Sequence, residues 1–344
     1  MKPFLSICIP TYNRSKYIRE TVENIFQELS GMPSETLKEI EICISDNAST
    51  DNSVEILADL KQKSPVAFSL NVNDTNLGVD RNILKVSEMS ESEYVWLLSS
   101  DDLLENGALN YVYKFLKVHK DIDVLVMTDI AYDSSMTYRM HEVEEEGEDQ
   151  ILFFASQLDA SMTIAHPIGL ISHVCFKRSL WMKIENRESF IGCLYIHTPI
   201  ILSMVRDGAR VAYILNPATI KFRFFNDSIV NELGWYKKIS LMLDFTSKIP
   251  RAVYGENSVE GKMLSKRLVK QIFPPRVLEF WLLRLTLSQR LEFMRKFYSY
   301  YKNELIFYFT TYPLLLSPFG SNGKLLYLFP VELVSKKVHS QRKY

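Results

Sequence analysis

A chain of 344 residues, 47% of them hydrophobic, has ample material for a packed core and is too apolar to stay disordered. No run reaches the roughly 18 uninterrupted apolar residues of a membrane span, and Cys8, Cys43, Cys175 and Cys193 lie too far apart for a paired-cysteine zinc site. The formal net charge of -1 conceals a division: residues 262–344 carry 15 Lys or Arg against Glu279, Glu292, Glu304 and Glu332, which directs that end toward an anionic surface.

Phe4 to Ile9 reads as a strand closed by Pro10, and Arg14 to Leu29 as a helix with Tyr17, Ile18, Val22, Ile25, Phe26 and Leu29 at helical spacing. The pattern repeats. Ile40 to Ile44 is a second strand, followed by a helix capped by Asp51 that buries Val54, Ile56, Leu57 and Leu60. Val66 to Leu70 is a third strand and a helix starts near Gly78. Tyr94 to Leu98 is the fourth strand, Leu104 to Val118 the next helix, and Ile122 to Met127 a fifth strand. This alternation predicts an α/β fold, a mostly parallel sheet with helices on both faces, and a binding site at the carboxyl ends of the strands.

Glu142 to Asp149, with six carboxylates in eight residues, reads as a solvated loop. Gly169 to Lys177 reads as a strand, Pro199 to Val205 as a short helix stopped near Gly208, and Arg210 to Leu215 as another strand. The expected organisation is an α/β domain over 1–230, with halves at 1–130 and 150–230, and a helical, basic and aromatic region over 231–344. Met1-Lys2-Pro3-Phe4 enters a strand pattern without signal-peptide features, so a cytoplasmic compartment is expected.

Four polar clusters follow successive strands: Pro10 to Arg14, Ser45 to Asp51, Asn76 to Asn82, and Ser99-Ser100-Asp101-Asp102. Each has a local explanation as a turn or helix cap, but their order at strand ends gathers them along one edge of the sheet. No glycine-rich phosphate loop of the GxGxxG or GxxxxGK[ST] type is present, so a metal is expected to supply the positive charge for a phosphate ligand. Mg2+ or Mn2+ suits one or two carboxylates plus phosphate oxygens.

Ser6-Ile7-Cys8-Ile9-Pro10-Thr11-Tyr12-Asn13-Arg14, Ser45-Asp46-Asn47-Ala48-Ser49-Thr50-Asp51 and Ser100-Asp101-Asp102 together resemble the family 2 glycosyltransferases of the GT-A nucleotide-diphospho-sugar transferase fold. The likeness runs over 4–130. It implies that Thr11, Tyr12, Asp46, Asn47 and Arg81 surround the nucleoside of a nucleotide-diphosphate sugar, that Asp101 lies near the ribose, and that Asp102 binds the metal. The motif has adjacent Asp residues where the family has a spaced pair, which favours Asp102 as the ligand.

Family 2 enzymes invert the anomeric carbon, so the resemblance also implies a general base on the acceptor side. The family places an Asp there, at the start of a helix; this sequence has His197, followed by Thr198 and Pro199. With Thr198 as N-cap, the positive end of the helix dipole would keep the imidazole neutral and available as a base. Asp207, in a turn at the end of that helix, is a weaker choice. The second half, with Gly169 to Ser179 and the His197 segment, is similar to bacterial surface-polysaccharide transferases of the abequosyltransferase-like branch. That branch implies a polyprenyl-diphosphate-linked or oligosaccharide acceptor, with His166, His173 and Arg223 as possible phosphate contacts and Asn226-Asp227-Ser228 as a closing loop.

Lys and Arg interleave with Phe, Trp, Tyr and Leu in Leu291 to Tyr301 and Leu305 to Leu328. Such segments lie in bilayer interfaces, so an anionic membrane surface, the inner face of the plasma membrane, is the expected partner. No nucleic-acid motif accompanies the basic residues, and nucleic acid is not expected to bind. Two other functions fit the same sequence: a noncatalytic scaffold that binds nucleotide-sugar and membrane, and a nucleotidyltransferase on the same fold.

Overall fold

Alternating strands and helices form as the hydrophobic spacing predicts in the computed structural model, which describes residues 2–140, 149–224 and 228–302. The first half runs β1 (Leu5–Thr11), α1 (Ile18–Ser30), α2 (Ser34–Leu37), β2 (Ile40–Asp46), α3 (Ser53–Lys63), β3 (Ala67–Val72), α4 (Val79–Met89) and β4 (Tyr94–Leu97). Every residue of β2 is buried, as befits a strand covered on both faces. Ile18, Val22, Ile25 and Leu29 of α1 are buried on one face, the stripe that steps of three and four residues create.

The chain then forms β5 (Leu103–Leu104), α5 (Ala108–Val118), β6 (Val124–Val126) and β7 (Asp129–Tyr132). The helix expected from Leu104 thus begins four residues later, because Leu103 and Leu104 pair with a distant strand and Gly107, at φ 78°, turns the chain before Ala108. Next come β8 (Gln150–Phe153), α6 (Gln157–Ile164), β9 (Val174–Lys177), α7 (Arg178–Lys183), α8 (His197–Arg206), β10 (Val211–Asn216) and β11 (Ile220–Arg223). Two 3-10 turns, Pro167–Gly169 and Ile171–His173, occupy the start of the strand expected from Gly169.

The large sheet has the order β3-β2-β1-β4-β9-β6-β10-β8, and β5-β11-β7 form a second, small one. β1 to β4 are mutually parallel, while β9 is antiparallel to both β4 and β6. Two reversals restore direction, so β6, and β10 parallel to it, run the same way as β4. The carboxyl ends of β1, β2, β3, β4, β6 and β10 therefore share one edge with the amino end of β9. The core behind that edge is anchored by fully buried Trp96 and Trp181, the latter stacked on Phe176 at 4.5 Å.

Helices α9 (Ser228–Tyr254), α10 (Val259–Ile272), α11 (Pro275–Leu282) and α12 (Leu287–Tyr301) complete the described chain. α9 packs on α8, and α10 on α9 and α6, so part of the apolar content expected of the C-terminal region is internal packing. One compact unit extends to Phe293 and a second begins at Met294. The Leu305 to Leu328 segment, most of the acidic loop, and Asn226 and Asp227 lie outside the described residues.

Candidate active site

Asp101 and Asp102 stand just past β4, 8% and 4% exposed. Ser172 Oγ donates to Asp102 Oδ2 at 2.6 Å, and the Arg223 backbone N–H donates to Oδ1 at 3.3 Å. Both donors are neutral. Burial first, and then the Asp101 charge, push the Asp102 carboxyl well above the usual carboxylate range. Asp101 accepts from Ser99 Oγ. The turn is braced by Arg223, whose Nε donates to the Asp101 carbonyl at 3.0 Å, Nη1 to the Ser134 carbonyl at 2.6 Å and Nη2 to Glu20 Oε2 at 2.6 Å. With its guanidinium also 5.0 Å from the Tyr17 ring, Arg223 holds the turn.

The loops after β1 and β2 lock onto each other. Thr11 pairs in register with Asp46, the Thr50 N–H donates to Asn13 Oδ1 at 2.8 Å, and the Ser15 N–H donates to Asp51 Oδ2 at 3.0 Å. Asp46 is fully buried and accepts from the N–H and hydroxyl of Ser49 at 2.8 and 2.6 Å. Asn47 reaches the third cluster: its Nδ2 donates to Asn76 Oδ1 at 2.7 Å and its Oδ1 accepts from the Leu77 N–H at 2.9 Å. Thr11 Oγ1 is buried with no hydrogen-bond partner, Tyr12 is half-buried, and Arg81 is exposed in the first turn of α4. The sequence-predicted residues Thr11, Tyr12, Asp46 and Asn47 thus come together at the carboxyl ends of β1 and β2, with Asp101 and Asp102 beside them at the end of β4, while Arg81 stands in α4 next to Asn82, whose Nδ2 donates to the Ser45 carbonyl at 2.8 Å.

His197 opens α8 and is 2% exposed. Thr198 spends its hydroxyl on the Ile168 carbonyl at 3.1 Å, so the expected side-chain cap does not form. Burial pushes the imidazole down to about 4, although the nearby Ile168 and Gly169 backbone pulls the other way. Neither ring nitrogen makes a well-directed hydrogen bond. The ring is neutral as expected, but the cause is desolvation.

Two groups were not picked out by sequence reasoning. Asp80, buried in α4, accepts from the N–H groups of Gly192 and Leu194 at 2.7 and 3.1 Å and of Ile196 at 3.3 Å, joining the start of α4 to the segment leading into α8. Asp129 follows β6 at the same sheet edge, with His173 Nε2 3.0 Å from its Oδ1. Asp129 and His173 line a cavity of about 380 Å3 walled by Tyr195, Tyr213, Phe222 and Phe245. An Asp directly after a strand was the available signal for Asp129, the same one that marks Asp101 and Asp102.

Residues 6–176 match the family described as glycosyl transferase family 2. Over 277 residues the chain is 28% identical to the abequosyltransferase RfbV of Salmonella typhimurium strain LT2, covering 78% of this chain and 80% of that protein. Residues 1-349 of S. aureus TarS, solved in complex with UDP-GlcNAc, give a TM-score of 0.62 at 16% identity, over 86% of this chain and 80% of that one. The mannosyltransferase PcManGT from Pyrobaculum calidifontis, solved with GDP-Man and Mn2+, gives 0.52 at 14% identity over 92% and 86%. These likenesses establish a GT-A fold. Together with the ordered motifs around Asp102, they show that the chain belongs to glycosyl transferase family 2.

Proposed function

We propose that this protein transfers a sugar from a nucleotide-diphosphate sugar to a hydroxyl of a lipid-linked or oligosaccharide acceptor, with inversion, in bacterial surface-polysaccharide synthesis at an anionic membrane surface. The carrying observation is the buried Asp101-Asp102 turn, flanked on one side by the interlocked polar loops and on the other by an aromatic-walled cavity. The name of the abequosyltransferase relative and the UDP-GlcNAc complex of TarS support a sugar nucleotide as donor.

Thr11, Tyr12, Asp46, Asn47 and Arg81 would enclose the nucleoside, and Asp101 would meet the ribose. The surroundings of Asp102 fit Mg2+ or Mn2+: two buried carboxylates are adjacent, and the donors to Asp102 are a hydroxyl and a peptide N–H. No cluster of three or more His, Cys, Asp or Glu is arranged for a metal among the described residues, so phosphate oxygens and water would complete the shell. A cation held by Asp102 supplies Lewis acidity to the departing diphosphate. His197 is the counterpart of the family's base, but a group that holds a proton only below about pH 4 is a weak one, and it is not among the residues lining the cavity.

A thermal-shift screen of UDP, GDP, CDP and dTDP and their sugars, with and without Mn2+, tests this reading. A donor at a hundred times its Kd adds about 2.7 kcal/mol, a rise of several degrees in Tm. The reading fails if no nucleotide or nucleotide-sugar moves Tm with or without metal.

A further inference from the structure

We propose that the cavity beside Asp102 receives the acceptor saccharide and that Asp129, backed by His173, removes the proton from its attacking hydroxyl. This rests on the glycosyl-transfer reading above.

Position comes first. Every residue lining the cavity lies beyond Met127 in the chain, whereas the nucleoside loops come from the first 82 residues. Asp102 sits between the two groups: Ser172, which donates to it, immediately precedes cavity-lining His173. On the other flank, β11 binds Asp102 through the Arg223 N–H and carries Ile220 opposite Asp129, three residues or roughly 10 Å along the strand. A donor sugar whose diphosphate meets a cation at Asp102 would thus have its anomeric carbon facing the cavity.

The lining chemistry selects a neutral saccharide. Among the described residues no Lys or Arg lines the cavity, which does not favour a diphosphate there. Tyr195 stands edge-on to Phe245 at 5.1 Å, and Gly169 lies on the same wall. Aromatic walls of this kind pack against the C–H face of a sugar ring. Burial pushes the Tyr195 and Tyr213 hydroxyls up to about 12, so both stay protonated and able to donate to sugar oxygens. The volume falls within the range of small-ligand sites.

Asp129 is equipped as a base where the other acidic side chains are not. Donors within the protein occupy the carboxylates of Asp46 and Asp80, and Asp102 is committed to the cation on the reading above. Asp129 keeps 24% of its side chain exposed, and His173, 6% exposed, stands with Nε2 3.0 Å from its Oδ1. His173 Nδ1 lies 3.1 Å from the Pro167 carbonyl, which can only accept, so Nδ1 carries a hydrogen and Nε2 faces Asp129. That contact is short but not aligned as a hydrogen bond, and Asp129 itself lines the cavity. In the reaction the acceptor O–H bond breaks and its proton passes to Asp129. The oxygen's electron pair forms the bond to the anomeric carbon, and the electron pair of the breaking carbon–oxygen bond leaves on the nucleoside diphosphate.

The test uses the full chain, Mn2+ and whichever nucleotide-sugar the thermal-shift screen identifies, with water as acceptor in the presence and absence of azide. Asp129→Asn is expected to slow donor hydrolysis by about 100-fold or more while keeping the wild-type thermal shift with the nucleoside diphosphate. Azide, a nucleophile with no proton to lose, is expected to restore sugar release as the inverted glycosyl azide. Hydrolysis near the wild-type rate, or a loss that azide does not rescue, overturns the proposal. Asp129→Ser is scored by the same two readings, and the retained diphosphate shift certifies that the variant has folded. If wild-type protein binds no nucleotide-sugar, the glycosyl-transfer reading itself has failed; if it hydrolyses the donor and Asp129→Asn does so equally well, only the base assignment has.

Discussion

Asp101 and Asp102 are chemically identical neighbours with different surroundings, and the difference sets their roles. Asp102 is held from both sides, by Ser172 and by the Arg223 N–H, so its carboxylate orientation is fixed by the second sheet and the turn before β9. Asp101 accepts from Ser99, two residues away, a bond made within its own turn. Asp102→Ala is therefore expected to abolish the Mn2+-dependent part of nucleotide binding, whereas Asp101→Ala weakens nucleotide binding but leaves a metal response. Calorimetric titration of nucleoside diphosphate with and without Mn2+ reads both, and equal losses would undo the assignment. The pair was legible in the sequence because two carboxylates ending an apolar run are a local pattern. The duty of Arg223 was not, since its partners Glu20, Asp101 and Ser134 are set by folding and not by spacing.

At the level of elements, α4 and the segment before α8 are joined by Asp80, which ties the helix after β3 to the chain that enters α8. Gly192 at φ 99° and Leu194 at φ 62° both take the left-handed conformation, so their N–H groups, with that of Ile196, converge on one carboxylate. Hydrogen bonds to a charged acceptor contribute about 1.5–3 kcal/mol each when formed and leave costly orphans when removed. Asp80→Ala is expected to destabilise the protein by about 2–3 kcal/mol in urea denaturation and to speed amide exchange at Gly192, Leu194 and Ile196. Unchanged exchange at those three amides would show that the segment holds itself. Sequence reading placed Asp80 inside a polar cluster and stopped there, because its partners are backbone groups more than a hundred residues away. The same limit explains the Leu104 helix start: Leu103 and Leu104 look helical locally, and only pairing with Ile220 and Lys221 makes them a strand. The strands β1, β2 and β4, by contrast, were readable because burial on both faces makes their sequence predominantly apolar, broken only by residues such as Ser6 and Glu41.

For the whole molecule, the parallel half of the sheet followed from strand-helix alternation, whereas the antiparallel insertion of β9 between β4 and β6 left no local trace. Charge is distributed on the same large scale, and the described part of the basic region shows how it can be used. In α10 the apolar residues Leu264, Leu268, Val269 and Ile272 are buried, while Lys262, Lys266, Arg267 and Lys270 are exposed. Most of its apolar residues are therefore committed to the protein, and what it offers outward is charge together with Val259 and Met263. Attachment through such a face is electrostatic, contributing about 1 kcal/mol per basic residue near anionic lipid and decaying as the screening length falls from about 10 Å at 0.1 M salt to about 3 Å at 1 M. The full chain is expected to float with phosphatidylglycerol-containing vesicles at about 0.1 M salt, to remain unbound with purely zwitterionic ones, and to be released at about 1 M. Retention at high salt would assign the attachment to apolar insertion, and failure to bind the anionic vesicles at low salt would remove the membrane from this protein's partners.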